Sequence, residues 1–283
     1  MSKPCVYGLI GNPIAKSLSP FMHNAALARL KIKAKYRLFP LEEKELLPFF
    51  SSLAKRNIRG LNVTIPFKEK VLRAVKGSRN SAVSAIGAAN TAVVDAGGKI
   101  KFFNTDYLGF SRHIAELKLK PKMVAVIGAG GAAKAICYAL GKGGAQQVAV
   151  YDIDHFRSLS LMKRFNSLFP QTKFTAAGSV EALDIRNKDL LVNASSVGMK
   201  PQDPLLVDAS MLHPELFVYD IIYSPAKTGL LKLAEEKRLR FSNGLGMLLY
   251  QGVESLNLWI PPKKAPVDTM RAALEKALLK RRE

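Results

Sequence analysis

The stretch VAVIGAGGAAKA, residues 124–135, joins an apolar strand-like run to a helix-like run through a turn of small residues. Gly128, Gly130 and Ala133 form a GxGxxA pattern. Gly128 permits the tight turn, Gly130 lets the backbone approach a pyrophosphate, and Ala133 allows close packing of helix on strand. The loop from Gly128 through Ala129, Gly130 and Gly131 to Ala132 is therefore a candidate phosphate cradle, because N–H groups and the dipole at a helix N-terminus favour an anion. The pattern alone is weak, and its context adds weight. The next strand-like run, VAVYD, ends in Asp152, where a carboxylate can accept hydrogen bonds from adenosine ribose hydroxyls. This reads as a dinucleotide site, against two rivals: a glycine turn needed only for packing, and an S-adenosylmethionine loop.

Outward from that loop, MVAVIG, QVAVYDID, KFTAA, DLLVNAS and LFVYDII alternate with helix-like segments and predict a parallel sheet. The first hundred residues carry a separate series: CVYGLIG, PFMHNAALARL, AKYRLFP, EEKELLPFFSSLAKR, GLNVTIP and FKEKVLRAV. Their rhythm predicts a second, mainly parallel sheet, and NTAVVD and KIKFFN around Ala96-Gly97-Gly98 predict a hairpin. GMLLYQGVESLNLWI reads as a helix buried between layers, and DTMRAALEKALLKRR as an amphipathic last helix with Asp268 as N-cap. The fold class is α/β in two domains, one of them Rossmann-type, which suits 283 residues of which 48% are hydrophobic.

Composition narrows the function further. Lys and Arg number 43 against 22 Asp and Glu, a formal net charge of +21, so a nucleic-acid partner has to be weighed. The basic residues are dispersed over KIKAKYR, KEKVLRAVKGSR, PPKK and KALLKRRE, with no zinc-finger spacing or RNP-type aromatic motif, which favours a solvated basic surface over a specific nucleic-acid site. No apolar run reaches the roughly 18 residues of a membrane span, and the N-terminal apolar run is too short for a secretory signal, so a cytoplasmic protein without a membrane partner is expected. Cys5 and Cys137 read as ordinary thiols, and no metal site is implied.

With one nucleotide loop in the second series, the first series is expected to supply the substrate site. Its candidates are polar residues near strand ends. Ser17 and Ser19 precede a helix, with Ser19 open to the alternative of an N-cap before Pro20. Thr64 and Lys68 close the third strand; Asn90 opens NTAVVD; Asn104, Thr105 and Asp106 terminate KIKFFN. Lys68 is the unusual one, because Pro66 places it in a first helical turn, where the macrodipole disfavours a cation. Lys68 as a surface lysine and Asp106 as a helix N-cap remain the plain alternatives.

Taken in order, SLSPxMHN, NVTIPFK, GAANT, NTDxxGF, GAGGAA, NASSVGM, YDIIYSPAKT and NGLGMLxxQ resemble the shikimate dehydrogenase family, quinate/shikimate dehydrogenases included, over nearly the whole chain. The resemblance implies reversible, NAD(P)-dependent reduction of 3-dehydroshikimate to shikimate, as in aromatic amino acid biosynthesis. It implies a discontinuous substrate domain, 1–105 plus 240–283, around a dinucleotide domain at 106–239. Lys68 and Asp106 match the family's catalytic pair; Ser17 and Ser19 match carboxylate-binding positions, and Thr64, Asn90, Tyr223 and Gln251 other substrate contacts. Ser195, Ile221 and Gly244 match cofactor positions, with Ile221 standing where methionine is frequent.

The resemblance breaks at one place. Where many members carry Asn-Arg-Thr, the arginine serving the 2′-phosphate of NADP, this chain has Asp152-Ile153-Asp154. An aspartate suits a free 2′-hydroxyl and repels a phosphate, so NAD is expected over NADP, with Arg157 as a counterweight. The same Asp-x-Asp arrangement keeps NAD-dependent quinate/shikimate dehydrogenase as an alternative, and an NAD-binding regulatory protein as the non-enzyme one. A monomer or a homodimer is compatible with the sequence.

Overall fold

The computed structural model describes residues 4–280. They divide into two compact units: residues up to Gly109 together with those from Leu248 onward, and Phe110–Met247. Both divisions fall inside helices, a few residues beyond 105 and 240.

The first unit opens with β1 (Cys5–Gly11), α1 (Ser19–Arg29), β2 (Ala34–Pro40), α2 (Leu46–Ser51), β3 (Ile58–Val63), α3 (Phe67–Ala74), β4 (Ser78–Arg79), α4 (Ser81–Ile86), β5 (Thr91–Val94) and β6 (Ile100–Phe103). Among the described residues these strands make one six-stranded sheet, in the order β2-β1-β3-β5-β6-β4. β1 pairs in parallel with β2 and β3, as βαβ units require, whereas β3–β5 and β5–β6 are antiparallel. The sheet is thus mixed: the predicted hairpin supplies its antiparallel part. EEKELLPFFSSLAKR, read as one helix, is a 3-10 turn at Glu43–Glu45 followed by an α-helix only over α2; turns then lead to Asn57, left-handed at φ 52, and into β3. α2 still buries Leu46, Phe49 and Phe50 against the core formed by Leu61, Val63, Val71 and Phe102. α4 is closed at both ends by local chemistry. The Asn80 side chain accepts from Val83 N–H at 2.9 Å, and Gly87 terminates it at φ 75.

The second unit holds most of α5 (Asp106–Glu116), then β7 (Met123–Ile127), α6 (Gly131–Lys142), β8 (Gln147–Tyr151), α7 (His155–Leu168), β9 (Lys173–Ala177), β10 (Leu190–Asn193), β11 (Phe217–Asp220), α8 (Gly229–Glu236) and β12 (Arg240–Ser242). Among the described residues its six strands run β12-β11-β10-β7-β8-β9, and every pair is parallel. Counted within the unit from the β9 edge this is 3-2-1-4-5-6, the doubly wound order, whose switch point lies between β7 and β10. α9 (Leu245–Trp259) carries the chain back to the first unit, where α10 (Val267–Leu279) packs beside α1. Asp268 is not the N-cap of α10. Pro266 holds that position and Asp268 sits in the first turn, still favourable for the dipole. No helix among the described residues is long and apolar enough to cross a membrane.

Candidate active site

Strand direction assembles the polar cluster of the first unit. β3 delivers Lys68 past its carboxyl end, in the first turn of α3. β5 runs antiparallel to β3, so its amino end, preceded by Asn90, reaches the same edge; β6 reverses again and brings Asp106 there. The sequence suggested polar residues near the strand ends of a mainly parallel sheet. The two antiparallel pairings do the work instead.

At this edge Lys68 Nζ donates to Asp106 Oδ2 at 2.7 Å, with only 15% and 7% of the two side chains exposed. Asn90 Nδ2 donates to Asp106 Oδ1 at 2.8 Å, and Gln251 Oε1, from α9, lies 3.3 Å from the same nitrogen. Asp106 is the first residue of α5, but its carboxylate does not cap the helix. Asn104 Oδ1 accepts from the Asp106 and Tyr107 N–H groups at 3.1 and 3.3 Å, which leaves the Asp106 oxygens to Lys68 and Asn90. The lysine in the first turn of α3 therefore has its counter-charge, in a half-enclosed position where a charge-assisted bond is strong.

Ser17, Ser19 and Thr64 are not hydrogen-bonded into this cluster. Ser19 is the first residue of α1, is buried, and does not cap it; Leu18 occupies the cap position. Its N–H donates to Ser17 Oγ at 3.2 Å. Thr64, just past β3, packs its methyl at Gly11, where a Cβ would overlap it, and its N–H donates to Ile10 O at 2.9 Å. Tyr223 belongs to the second unit, half-buried in the turn after β11.

In that unit the glycine loop lies at the switch point. Gly128 takes φ 106, and a Cβ there would stand 3.0 Å from Ala194 C and O and 3.1 Å from Ser195 N, so only glycine fits between the ends of β7 and β10. A Cβ at Gly130 would meet only the Arg157 guanidinium, 3.6 Å away at Nη2, so the surface of the loop is open to a phosphate and has a cation beside it. Asp152, just after β8, accepts from Ala129 N–H at 2.6 Å through Oδ2 and from Asp154 N–H at 3.0 Å through Oδ1. Its carboxylate is thereby fixed at the loop with lone pairs remaining, because an ionised carboxylate offers about four acceptor sites. Ile153 is 94% exposed. Across the switch point Asn193 Oδ1 accepts from Ser195 N–H and Oγ–H at 3.0 and 2.7 Å. Asp220 binds Asn193, Thr228 and the Ile222 N–H. Burial pushes its carboxyl group above the usual carboxylate range, against those hydrogen bonds. Gly244 N–H donates to Ile222 O at 3.2 Å, and a Cβ at Gly244 would fall on the Ile221 carbonyl, so these two backbones touch.

Residues 9–92 match the model of the shikimate dehydrogenase substrate binding domain, and residues 244–275 that of the shikimate 5′-dehydrogenase C-terminal domain. The chain is 38% identical over 276 residues to the shikimate dehydrogenase (NADP(+)) of Methanothrix thermoacetophila, covering 96% of this chain and 97% of that protein. The chain belongs to the shikimate dehydrogenase family. Among solved structures, this family member superposes on the Listeria monocytogenes shikimate 5-dehydrogenase in complex with shikimate and NAD with a TM-score of 0.85, at 34% identity and covering 97% of each chain. It superposes on the Corynebacterium glutamicum quinate dehydrogenase in complex with NAD with a TM-score of 0.86, at 28% identity, covering 97% of this chain and 100% of that one.

Two residues beside this cluster, Asn62 and Ser255, escaped the reading of the sequence as candidates, whereas Thr105 was among the strand-end residues it named. Asn62, Thr105 and Ser255 are buried and hydrogen-bonded around Asn90. Asn62 stood inside a quoted motif, but Ser255 had no signal: a serine in an apolar helix is ordinary.

Proposed function

We propose that this chain is an NAD(P)-dependent shikimate dehydrogenase, an oxidoreductase that interconverts 3-dehydroshikimate and shikimate with Lys68 and Asp106 as its catalytic pair. The observation that carries the reading is the Lys68–Asp106 bond at 2.7 Å with Asn90 and Gln251 beside it. Reduction of the ring ketone adds a hydride to carbon and a proton to oxygen. Negative charge develops on that oxygen, and the Lys68 ammonium can stabilise it and then donate the proton. Asp106 orients the ammonium and accepts a hydrogen bond from a ring hydroxyl. In the reverse direction Lys68 takes the hydroxyl proton back. Asn90, Gln251 and Thr64 hold ring hydroxyls, Ser17 and Ser19 the ring carboxylate, and Tyr223 a further contact. The unit built on β1–β6 and the C-terminal helices is the substrate domain, and the doubly wound unit the dinucleotide domain.

The second unit fits a dinucleotide: an open glycine loop at a helix N-terminus, a fixed aspartate after the second strand and an arginine at the loop. Gly128, Ala129, Gly130, Gly131 and Ala132 would hold the pyrophosphate, Asp152 and Arg157 the adenosine ribose, and Ser195, Ile221 and Gly244 the nicotinamide half. When bound, the nicotinamide supplies or accepts the hydride. We infer NAD over NADP. Asp152 presents a like charge to a 2′-phosphate, and Ile153, at the arginine position of the Asn-Arg-Thr pattern, projects into solvent. The NADP(+) named for the Methanothrix relative and the NAD bound to the Listeria and Corynebacterium proteins bracket this choice.

The test is the initial rate with shikimate and with quinate, each with NAD and with NADP. Shikimate oxidation, fastest with NAD, is the expected result. Turnover confined to quinate would make this a quinate dehydrogenase, and no turnover of either would leave a nucleotide-binding protein without the proposed activity.

A further inference from the structure

The Lys68–Asp106 pair rests on a fully buried layer of amides and hydroxyls that leads away from it. Asn90 Oδ1 accepts from Thr105 N–H at 2.6 Å, which fixes the amide with its oxygen toward Thr105 and its nitrogen toward Asp106. Below Asn90 the hydroxyls of Thr91, Thr105 and Ser255 form a triangle: Thr91 to Ser255 2.8 Å, Thr105 to Ser255 3.0 Å, Thr91 to Thr105 3.1 Å. Ser255 Oγ donates to Gln251 O at 2.9 Å, one turn back along α9, and accepts from Asn62 Nδ2 at 2.9 Å. Asn62 is set in turn by Tyr36, whose hydroxyl donates to Asn62 Oδ1 at 2.8 Å. Ser255, Thr91 and Thr105 are each wholly inaccessible to solvent.

We propose that Ser255 is a positioning residue for the Lys68–Asp106 pair, acting through Thr105 and Asn90. The reasoning is a count of protons, and it rests on the dehydrogenase reading above. Ser255 spends its own proton on Gln251 O, so toward the triangle it is an acceptor. Thr105 Oγ1–H then points at Ser255, and a Thr105 lone pair faces Asn90 Nδ2, 2.9 Å away. Thr91 Oγ1 lies 2.8 Å from Ser255 Oγ and 3.1 Å from Asn90 Oδ1, the two oxygens that can take its proton. Both amide protons of Asn90 are thereby assigned, one to Thr105 and one to Asp106, and Gln251 Oε1 at 3.3 Å stays available to a ring hydroxyl. Without the Ser255 oxygen, Thr91 and Thr105 are left with each other and with Asn90 Oδ1, 3.1 Å from both, as acceptors for their protons. A proton turned from Thr105 to Asn90 Oδ1 swings the Thr105 lone pairs off Asn90 Nδ2 and weakens that bond, so the amide turns toward Gln251 Oε1 and loosens its hold on Asp106. A poorly satisfied buried donor is costly enough to drive that shift.

The experiment compares kcat/KM for shikimate in the wild type, Ser255→Ala, Asn90→Ala and the double variant. Side-chain amide NMR of Asn90 in the wild type and Ser255→Ala gives a readout that needs no turnover. Ser255→Ala should fold, since alanine suits a helix interior, and a melting temperature records any loss. The expected result is a loss of about tenfold in Ser255→Ala, the scale of one lost positioning hydrogen bond, with a shifted Asn90 amide resonance. In the Asn90→Ala background removing the serine hydroxyl should cost almost nothing more. An unchanged Asn90 resonance, or losses that multiply in the double variant, would overturn the inference. An Asn90 resonance that shifts in Ser255→Ala while the wild type oxidises no shikimate would instead count against the dehydrogenase reading alone.

Discussion

Lys68 and Asp106 stand 38 residues apart in the chain and 2.7 Å apart in space, Nζ to Oδ2, at one edge of a mixed sheet. Each side chain fixes the other, since a first-turn lysine needs a counter-charge and Asn104 relieves Asp106 of capping α5. Lys68→Ala is expected to lower kcat by roughly 100-fold or more, the contribution of general acid catalysis. Asp106→Asn should be severely impaired too, and the double variant should lose far less than the product of the single losses. Steady-state kinetics on the four proteins decide it. Multiplicative losses would mean that the two residues act independently.

Cofactor choice should follow Asp152. In the wild type kcat/KM for shikimate oxidation is expected to be higher with NAD than with NADP. Asp152→Ala should erase most of that preference, chiefly by raising the KM for NAD, because the 2′-hydroxyl loses an acceptor. A tenfold preference for NADP in the wild type would refute the charge argument.

Gly244→Ala should harm cofactor binding. A Cβ at this position falls on the Ile221 carbonyl, a backbone atom that cannot swing aside, so the junction between β12 and α9 must shift. Calorimetric titration with NAD is expected to show an affinity about tenfold or more weaker, with a lower melting temperature. Unchanged affinity would show that Ile221 and Gly244 lie outside the nucleotide site.

His23 should make the protein acid-sensitive. Its ring is wholly buried, stacked on Tyr36 with centroids 4.3 Å apart, and neither ring nitrogen has a hydrogen-bond partner among the described residues. Burial pulls its pKa from the ordinary 6.5 down to about 3. Between those values the unfolded chain binds a proton that the folded chain refuses, so stability is unaffected above pH 6.5 and falls as pH drops through this window. At pH 5 the loss is about 2 kcal/mol from this residue. Urea unfolding at pH 7 and pH 5 should show the wild type losing more stability than His23→Phe, which keeps the stack and removes the titration. Equal losses would exclude His23 as the cause.

Much of this protein was legible in one dimension, for local reasons. The glycine loop, the strand that precedes it and the aspartate that ends the next strand are fixed by steric needs acting over a few residues, and the structure places Gly128 where a Cβ has no room. Hydrophobic alternation marked nearly every strand, because burial imposes its period directly on the sequence. Ser19 and Asp106 were ambiguous because one side chain can cap a helix or face a ligand. Only in three dimensions do the positions of Leu18 and Asn104 show that neither side chain caps its helix.

What the tertiary structure alone decided is pairing. The sequence predicted the β5–β6 hairpin but could not say that β5 lies antiparallel to β3, and the two reversals together carry Asn90 and Asp106 to the edge where Lys68 waits. Nor could it show that Ser255, 164 residues after Thr91, lies within hydrogen-bond reach of it. Periodicity reports which face of an element is buried and is silent about its neighbour. A hydroxyl in an apolar helix becomes part of a site only when strands distant in sequence bring acceptors and donors to it, and that is settled by the packing of the whole unit.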